Sequence, residues 1–190
     1  MKLLAIDIGA SSGRALQGEL TGGKLTLREI HRFRNEPVEK DGHKHWDIER
    51  LRGELLTALE HADPDIESVG IDTWGVDYGY IGADGEVIGL PFAYRDDRTI
   101  PMVDVIHDRI PFERLYAITG IQFMRLNTIY QMADDVKNRP DVLADADRVL
   151  MMPELLSYFP TGEYAAEYSI ASTSALLDAR ERTWSDEVIE

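Results

Sequence analysis

Seven segments of the chain show the apolar runs or the alternation of apolar and polar residues that are typical of β-strands. They are residues 3–9, 14–20, 24–32, 66–74, 76–81, 86–90 and 148–152. Glycine-rich turns at residues 21–23 and 83–85 join two pairs of them into predicted hairpins. Because the first strands follow one another without an intervening helix, the sequence predicts a mixed sheet rather than an all-parallel one.

Helical spacing begins after Asp47, a side chain suited to cap a helix. Apolar residues then recur every three or four positions, at Ile48, Leu51, Leu55, Leu59 and Ala62. Further helical patterns cover residues 102–110, 112–119 and 127–138, and Pro153 suits the first turn of a helix that ends near Gly162. The order of elements predicts an α/β domain in which helices flank a mixed sheet.

Composition narrows the function classes. The 190 residues include 20 basic and 35 acidic side chains, a net charge of −15, which argues against a nucleic-acid partner. There is no cysteine, and no apolar run has the length of a membrane span. We expect a cytoplasmic protein without disulfides and without a membrane partner.

Two aspartates stand at the ends of predicted strands. Asp7 lies in Ile-Asp-Ile-Gly, and Asp72 lies in Ile-Asp-Thr-Trp-Gly. Ligands of α/β sheets gather outside strand ends, and two neighbouring carboxylates are an arrangement that Mg²⁺ stabilises. Asp7 and Asp72 are therefore candidate metal ligands. The alternative for Asp7 is a hydrogen bond to a neighbouring backbone turn.

A polar loop follows Asp7 directly. It runs Gly9-Ala10-Ser11-Ser12-Gly13-Arg14 and combines small residues, two hydroxyls and one cation. Such a loop can hold anionic oxygens with its backbone N–H groups. It is not a P-loop, because Arg14 occupies the place of the lysine and a strand follows instead of a helix. An ordinary hairpin turn is the alternative.

Together these segments resemble the FGGY family of carbohydrate kinases, and within it the rhamnulokinases. The matching segments are 27–33 (LREIHRF), 46–47 (WD), 70–77 (GIDTWGVD), 89–91 (GLP), 93–96 (AYRD), 119–123 (TGIQF), 127–128 (NT) and 161–162 (TG). The resemblance implies a ribonuclease-H-like, actin/hexokinase-type ATPase fold. It also implies transfer of the γ-phosphate of ATP, with Mg²⁺, to the 1-hydroxyl of the ketose L-rhamnulose in rhamnose catabolism.

The resemblance assigns roles by motif. It implies that Asp7 is the metal-linked carboxylate and that Asp72 acts on the metal or its water. The ATP phosphate loop would be Ala10, Ser11, Ser12, Gly13 and Arg14. Substrate contacts would come from Trp74, Gly75, Arg95, Asp96, Gln122 and Asn127. Four of these have plainer alternatives: Trp74 as core, Arg95 and Asp96 as part of a self-paired charge cluster over residues 95–98, and Gln122 as a loop residue.

The family's base aspartate, within a His-Asp-Thr segment of rhamnulokinases, is not found in this sequence. We therefore expect residues 1–190 to be an incomplete N-terminal kinase domain without a catalytic residue, the base and the adenine pocket lying downstream and the isolated chain being inactive. Two alternatives are a non-catalytic sugar- or phosphate-binding module and a kinase for another ketose, such as L-fuculose or L-xylulose. A third, an actin-like ATPase without a sugar, is disfavoured by the Trp-Gly-Val-Asp and Tyr-Arg-Asp segments. The sequence does not indicate an oligomeric state.

Overall fold

A computed structural model describes all residues from 1 to 190. The strands are β1 (Lys2–Ile8), β2 (Ser12–Thr21), β3 (Lys24–Arg34), β4 (Val38–Lys40), β5 (His43–His45), β6 (Ser68–Asp72), β7 (Tyr78–Gly82), β8 (Ala146–Met151), β9 (Leu177–Asp178) and β10 (Thr183–Trp184). The helices are α1 (Ile48–His61), α2 (Met102–His107), α3 (Phe112–Thr119), α4 (Thr128–Asn138), α5 (Pro140–Asp145), α6 (Met152–Thr161), α7 (Tyr168–Ser172) and α8 (Asp186–Ile189). A single 3₁₀ turn covers Asp97–Thr99.

The main sheet has four strands in the order β3-β2-β1-β6. β1 pairs antiparallel with β2 and parallel with β6, and β2 pairs antiparallel with β3. The predicted mixed sheet is therefore confirmed. The strand predicted over 66–74 is shorter at both ends, and its last residue is Asp72.

One face of this sheet carries the main core. Leu4, Ile6 and Ile8 alternate on that face of β1 and belong to the same buried apolar cluster as residues of α1 and α6. The predicted start of α1 is confirmed, since the Asp47 carboxylate accepts a hydrogen bond from the Arg50 backbone N–H at 3.0 Å. The sheet is thus rigidly backed on the side opposite Asp7, whose side chain alternates with these three.

The second predicted hairpin is only partly correct. β7 forms, but its ladder partner is β8, and residues 86–90 contribute a single bridge between Ile81 and Val87. Two features end the pairing: Gly89 takes a positive φ of 69°, and Pro91 has no N–H to donate. β7 is consequently joined to the segment that leads into α6.

Smaller differences concern element ends. α2 stops at His107 rather than at residue 110, and α6 begins at Met152, one residue before Pro153. The hairpin of β4 and β5 and the short elements α5, α7, α8, β9 and β10 were not expected from apolar periodicity. None of the helices combines the length and the apolar character needed to cross a membrane.

Candidate functional site

Asp7 and Asp72 stand opposite each other on the neighbouring parallel strands β1 and β6. Paired residues of parallel strands point to the same side of a sheet, about 5 Å apart between strands. The Asp7 side chain is half-exposed and Asp72 is exposed, and the Asp72 carboxylate accepts no hydrogen bond from the protein. The structure therefore brings together the two carboxylates, with oxygen atoms free for a further ligand.

Arg14 completes this group from the other side of β1. It is paired with Asp7 across β1 and β2, and its Nε and Nη2 donate to Asp7 Oδ2 at 3.0 and 2.9 Å. One aspartate of the pair is thus neutralised by an arginine, while the other is not. The alternative proposed for Asp7, a hydrogen bond to a neighbouring backbone turn, is not what the structure contains.

The loop between β1 and β2 presents unused donors. The N–H groups of Ala10 and Ser11 donate to no acceptor within the protein, and the Ser11 and Ser12 hydroxyls have no partner. The loop is held in shape from behind by the buried Asn35, whose Nδ2 donates to the Gly9 carbonyl at 2.9 Å and whose N–H donates to the Ser11 carbonyl at 3.0 Å. Such a preformed cluster of free donors suits anionic oxygens.

Both glycines of the loop have negative φ, so left-handed backbone is not the reason for them. Gly13 is instead required by packing: a Cβ there would lie 2.1 Å from the ring of Phe33. At Gly9 a Cβ would lie 3.4 Å from the Ser12 carbonyl oxygen, which is ordinary contact. The close approach of Phe33 keeps the loop against β3.

An open cavity of about 470 Å³ begins two residues after Asp72. Its walls are mostly apolar, and the polar groups include the Gln122 amide and the Thr173 hydroxyl. The lining residues are Trp74, Gly75, Val76, Tyr94, Ile121, Gln122, Met124, Leu126 and Thr173. Cavities of this size and lining are typical of small-molecule sites.

Val76, in the cavity wall, has a positive φ of 68° although it is β-branched. The Asp77 N–H donates back to the Gly75 carbonyl at 3.0 Å, which closes a tight three-residue turn of the strained kind. The turn is held by other elements: the Val76 N–H donates to Thr173 Oγ1 at 3.0 Å, and its carbonyl accepts from Thr128 Oγ1 at 2.7 Å. A Cβ on Gly75 would lie 3.1 Å from the side chain of Thr173.

Asp77 lies directly behind the cavity and is completely buried. Burial raises the pKa of its carboxyl to about 6, and hydrogen bonds from Trp46, Gln131, Trp74 and the Tyr94 backbone oppose that rise. Asp77 is the last residue of the Trp-Gly-Val-Asp segment that carries the resemblance, but it was not among the candidate site residues. Its position directly after the cavity-lining residues Trp74, Gly75 and Val76 was the signal that could have identified it.

Arg95 and Asp96 do not line the cavity. The exposed Arg95 donates from Nε to its neighbour Tyr94 Oη at 3.2 Å. Asp96 is buried and accepts from His43 Nδ1 at 3.0 Å and from the Lys44 N–H at 2.7 Å. Burial raises the pKa of Asp96, but these hydrogen bonds outweigh it and the pKa is lowered. Of the proposed pair, only Arg95 keeps hydrogen-bonding groups that are not used within the protein, because both Asp96 oxygens accept protein donors.

The self-paired charge cluster considered for residues 95–98 does not form either. The Arg98 guanidinium is buried and reaches Asp134 and Asp135 of α4, at 3.0 and 2.6 Å. Asp97 pairs with Arg125 at 2.9 Å. These charges tie the loop to α4 and to the segment before it.

Gln122 and Asn127 separate in the structure. Gln122 is exposed at the cavity, as a sugar contact requires. Asn127 is buried just before α4, and its Nδ2 donates to the Gln122 carbonyl at 3.3 Å. Asn127 therefore supports the loop that carries Gln122 and does not line the cavity itself.

Comparisons with known proteins agree on one family. Residues 2–190 match the model of the N-terminal domain of the FGGY family of carbohydrate kinases. The chain is 40% identical over 189 residues to a rhamnulokinase of Bacteroides thetaiotaomicron, covering 98% of this chain and 39% of that protein. It is 42% identical over 181 residues to a rhamnulokinase of Lactiplantibacillus plantarum, covering 93% of this chain and 36% of that protein. The chain thus spans about two fifths of the length of these curated relatives.

Solved structures share the fold at lower identity. A ligand-bound xylulose kinase from Lactobacillus acidophilus superposes with a TM-score of 0.84 at 16% identity, over 99% of this chain and 39% of that one. A Plasmodium falciparum glycerol kinase with ADP gives a TM-score of 0.80 at 16% identity, over 98% of this chain and 40% of that one. The expected sugar-kinase fold is confirmed.

Proposed function

Because this chain belongs to the FGGY family of carbohydrate kinases, we propose that it is the N-terminal part of an ATP-dependent kinase that phosphorylates the 1-hydroxyl of L-rhamnulose. Residues 1–190 supply the phosphate loop and the sugar side of the site. We expect the base that accepts the hydroxyl proton and the adenine pocket to lie outside residues 1–190, since this chain covers only 39% of its rhamnulokinase relative.

The phosphate side is formed by the loop after β1. The free N–H groups of Ala10 and Ser11, with the hydroxyls of Ser11 and Ser12, bind phosphate oxygens. Gly13, the next residue of the phosphate loop, lies in β2 against Phe33 and keeps the loop close to the sheet. Arg14 uses only Nε and Nη2 on Asp7, so its Nη1 remains for a phosphate oxygen. These neutral donors and one cation meet a polyanion without a large reorganisation.

Asp7 and Asp72 fit a magnesium ion. Both present carboxylate oxygens on the same side of adjacent strands, and Mg²⁺ commonly uses one or two carboxylates with phosphate oxygens and water. Asp7 would hold the ion, and Asp72 would act on it directly or through water. When bound, the ion neutralises charge on the transferring phosphoryl group.

The sugar side is the cavity behind Trp74. Trp74 and Gly75 form one wall, and the Gln122 amide offers both a donor and an acceptor to hydroxyl groups. The apolar part of the lining suits the methyl group of a deoxyketose. L-Fuculose and L-xylulose are close competitors, since one methyl group or one hydroxyl group in a pocket is worth only about 1–3 kcal/mol. We choose L-rhamnulose among the three ketoses because the relatives at 40% and 42% identity are named rhamnulokinases.

One observation carries the proposal: Asp72 faces Asp7 at the phosphate loop, and Trp74, two residues later, stands in the wall of the cavity. Phosphoryl transfer needs the phosphate donor and the acceptor hydroxyl held side by side, and positioning is most of what the protein contributes. The short connection from Asp72 to Trp74 supports a phosphate site and a sugar site that lie side by side.

The proposal is tested by ATP turnover of the protein at the full length of its relatives. ADP formation should depend on a ketose, with the highest kcat/KM for L-rhamnulose among L-rhamnulose, L-fuculose and L-xylulose. The 190-residue chain alone should bind L-rhamnulose without turnover. Absence of any ketose-dependent ADP formation by the long protein would contradict the assignment, and a preference for another ketose would replace the substrate.

A further inference from the structure

We propose that Asp77 is the positioning residue of the cavity, holding Trp74 and Tyr94 in the orientation that forms its wall. The inference rests on the proposed function, because it assumes that this cavity takes the sugar. Asp77 itself does not line the cavity, so its effect passes through the two residues that do.

The Asp77 carboxylate gathers donors from four separate segments. Its Oδ2 accepts from Trp46 Nε1 at 2.6 Å, from Trp74 Nε1 at 2.8 Å and from the Tyr94 N–H at 3.1 Å. Its Oδ1 accepts from Gln131 Nε2 of α4 at 3.0 Å. The segments that meet here are the residues before α1, the turn before β7, the loop before the 3₁₀ turn, and α4.

The two indole bonds fix the plane of Trp74. An indole has one donor, so a bond to a buried carboxylate leaves its ring little rotational freedom. The Trp46 ring lies against Trp74 with centroids 4.2 Å apart, and Trp46 is completely buried. Trp74 is therefore held by its N–H edge at Asp77 and by contact with the tilted Trp46 ring, which leaves its remaining surface for the cavity.

Tyr94 is fixed through its backbone. Its N–H shares the same Oδ2 atom with both indoles, so two walls of the cavity from distant parts of the sequence are referred to one oxygen. In the sequence, Trp74 precedes β7 and Tyr94 follows it. A shift of Oδ2 would move both walls together.

A carboxylate is the group that this arrangement needs. All four direct partners of Asp77 are neutral N–H donors, and no cationic side chain bonds to it. Burying such an anion is unfavourable, and a simple structural link could be made by a neutral residue. An asparagine oxygen carries no charge and is a weaker acceptor for three N–H groups than a carboxylate oxygen, and the asparagine NH₂ would face the fourth donor.

The test compares Asp77→Asn with Asp134→Asn in the 190-residue chain. Asp134 is a matched control, because it is also a buried aspartate, bonded to Arg98 and Asn138, and lies away from the cavity walls. Two readouts are needed: the three indole N–H signals in ¹H–¹⁵N NMR spectra and the Kd for L-rhamnulose by calorimetry. Trp184, exposed and without an indole partner, is the internal reference.

We expect the Trp46 and Trp74 signals to move in Asp77→Asn while that of Trp184 stays, and the Kd to rise about tenfold. Asp134→Asn should leave the Kd within about twofold of the wild-type value. A folded Asp77→Asn with wild-type affinity would overturn the proposal. Equal weakening by both variants would do the same, since it would reflect general loss of stability.

Hydrogen exchange of the wild-type indoles covers the case in which Asp77→Asn does not fold. The Trp74 N–H should exchange far more slowly than that of Trp184, although Trp74 borders an open cavity. Equal exchange rates would overturn the proposal without any variant. A wild-type chain that binds no ketose but protects Trp74 would contradict the proposed function and leave the role of Asp77 in holding Trp74 supported.

Discussion

Arg14 donates two hydrogen bonds to a single carboxylate oxygen of Asp7, from Nε at 3.0 Å and from Nη2 at 2.9 Å. Both side chains are about half-exposed, and pairs of this kind contribute at most about 1 kcal/mol to stability. The second Asp7 oxygen remains free for a metal ion. The pair therefore contributes little to the stability of the fold, which agrees with the proposed role of Asp7 and Arg14 at the metal and phosphate site.

Replacing Asp7 with asparagine should separate these two roles. In the protein at the length of its relatives, the unfolding free energy of Asp7→Asn should lie within about 1 kcal/mol of the wild-type value, because only a surface ion pair is lost. Sugar-dependent ADP formation should fall by about a hundredfold or more, because charge on the transferring phosphoryl group is no longer neutralised. Asp65→Asn is the control, since Asp65 is exposed and pairs with Lys2 at 2.9 Å. Wild-type turnover in Asp7→Asn would refute the metal assignment.

The backbone strain at Val76 predicts an inverted order of two substitutions. At a φ of 68°, glycine is unstrained and alanine is not, so Val76→Gly should be more stable than Val76→Ala by about 1 kcal/mol. Both variants lose the same buried side chain except for one methyl group, so the comparison isolates the backbone. Urea unfolding gives the two free energies.

Val105 provides the matched control for that pair. It is a partly exposed residue inside α2, where glycine should be less stable than alanine by about 1 kcal/mol. Opposite signs at positions 76 and 105 would establish the strained turn. The same sign at both would mean that Val76 is not held in the left-handed region.

Much of the sheet could be predicted because its strands alternate over a long stretch. β1 to β3 and the helix after Asp47 each carry several turns or pleats of one consistent period, and all four were expected close to their true ends. The β4–β5 hairpin was missed because its strands have three residues each and are largely charged, although its Asp41-Gly42 turn is a strong hairpin signal. Local pattern also could not show that β7 pairs with β8, because that contact joins residues more than sixty positions apart.

The candidate site was predictable where motif and strand end coincide. Asp7 and Asp72 were expected to meet because each ends an apolar strand, and they are paired in the structure. Asp96 and Asn127 were named from the motif alone, and their side chains are buried in supporting hydrogen bonds. A polar residue of a motif can contact the ligand itself or support another residue that contacts it. Which of the two it does depends on the direction of its side chain, which one sequence does not reveal.

The buried arginine of the loop before α2 should contribute strongly to stability. The Arg98 guanidinium stacks on the Phe92 ring at 3.9 Å and pairs with Asp134 and Asp135, the latter completely buried. Arg98→Met would leave these carboxylates with fewer donors in a place that excludes water, at a cost of about 3–5 kcal/mol. Chemical denaturation measures the loss.

Arg114→Met is the comparison for that variant. Arg114 forms an exposed, water-screened ion pair with Glu187, so its loss should lower the unfolding free energy far less than the loss of the buried Arg98. If the two variants were destabilised equally, the buried pair would contribute no more than a surface one, and the link between the loop and α4 would have to come from packing.

Asp77 predicts an unusual dependence of stability on pH. Its pKa in the folded chain is about 6, raised chiefly by burial, against about 3.9 for an unfolded aspartate. Between these two values the folded state binds the proton more tightly than the unfolded state, so the contribution of this group to stability rises as the pH falls through 6 and levels off below about 4. Most carboxylates with hydrogen-bonded partners behave in the opposite way.

The difference in unfolding free energy between the wild type and Asp77→Asn isolates this contribution, because the other titrating groups are common to both proteins. With the two pKa values above, that difference should shift in favour of the wild type by about 1 kcal/mol between pH 7 and pH 5. Over the same range protonation should weaken the acceptor shared by Trp46 and Trp74, so their indole N–H signals should move with one midpoint while Trp184 does not respond. A difference that stays constant with pH, with indole signals that do not titrate, would mean that Asp77 remains ionised throughout and that its four donors outweigh its burial.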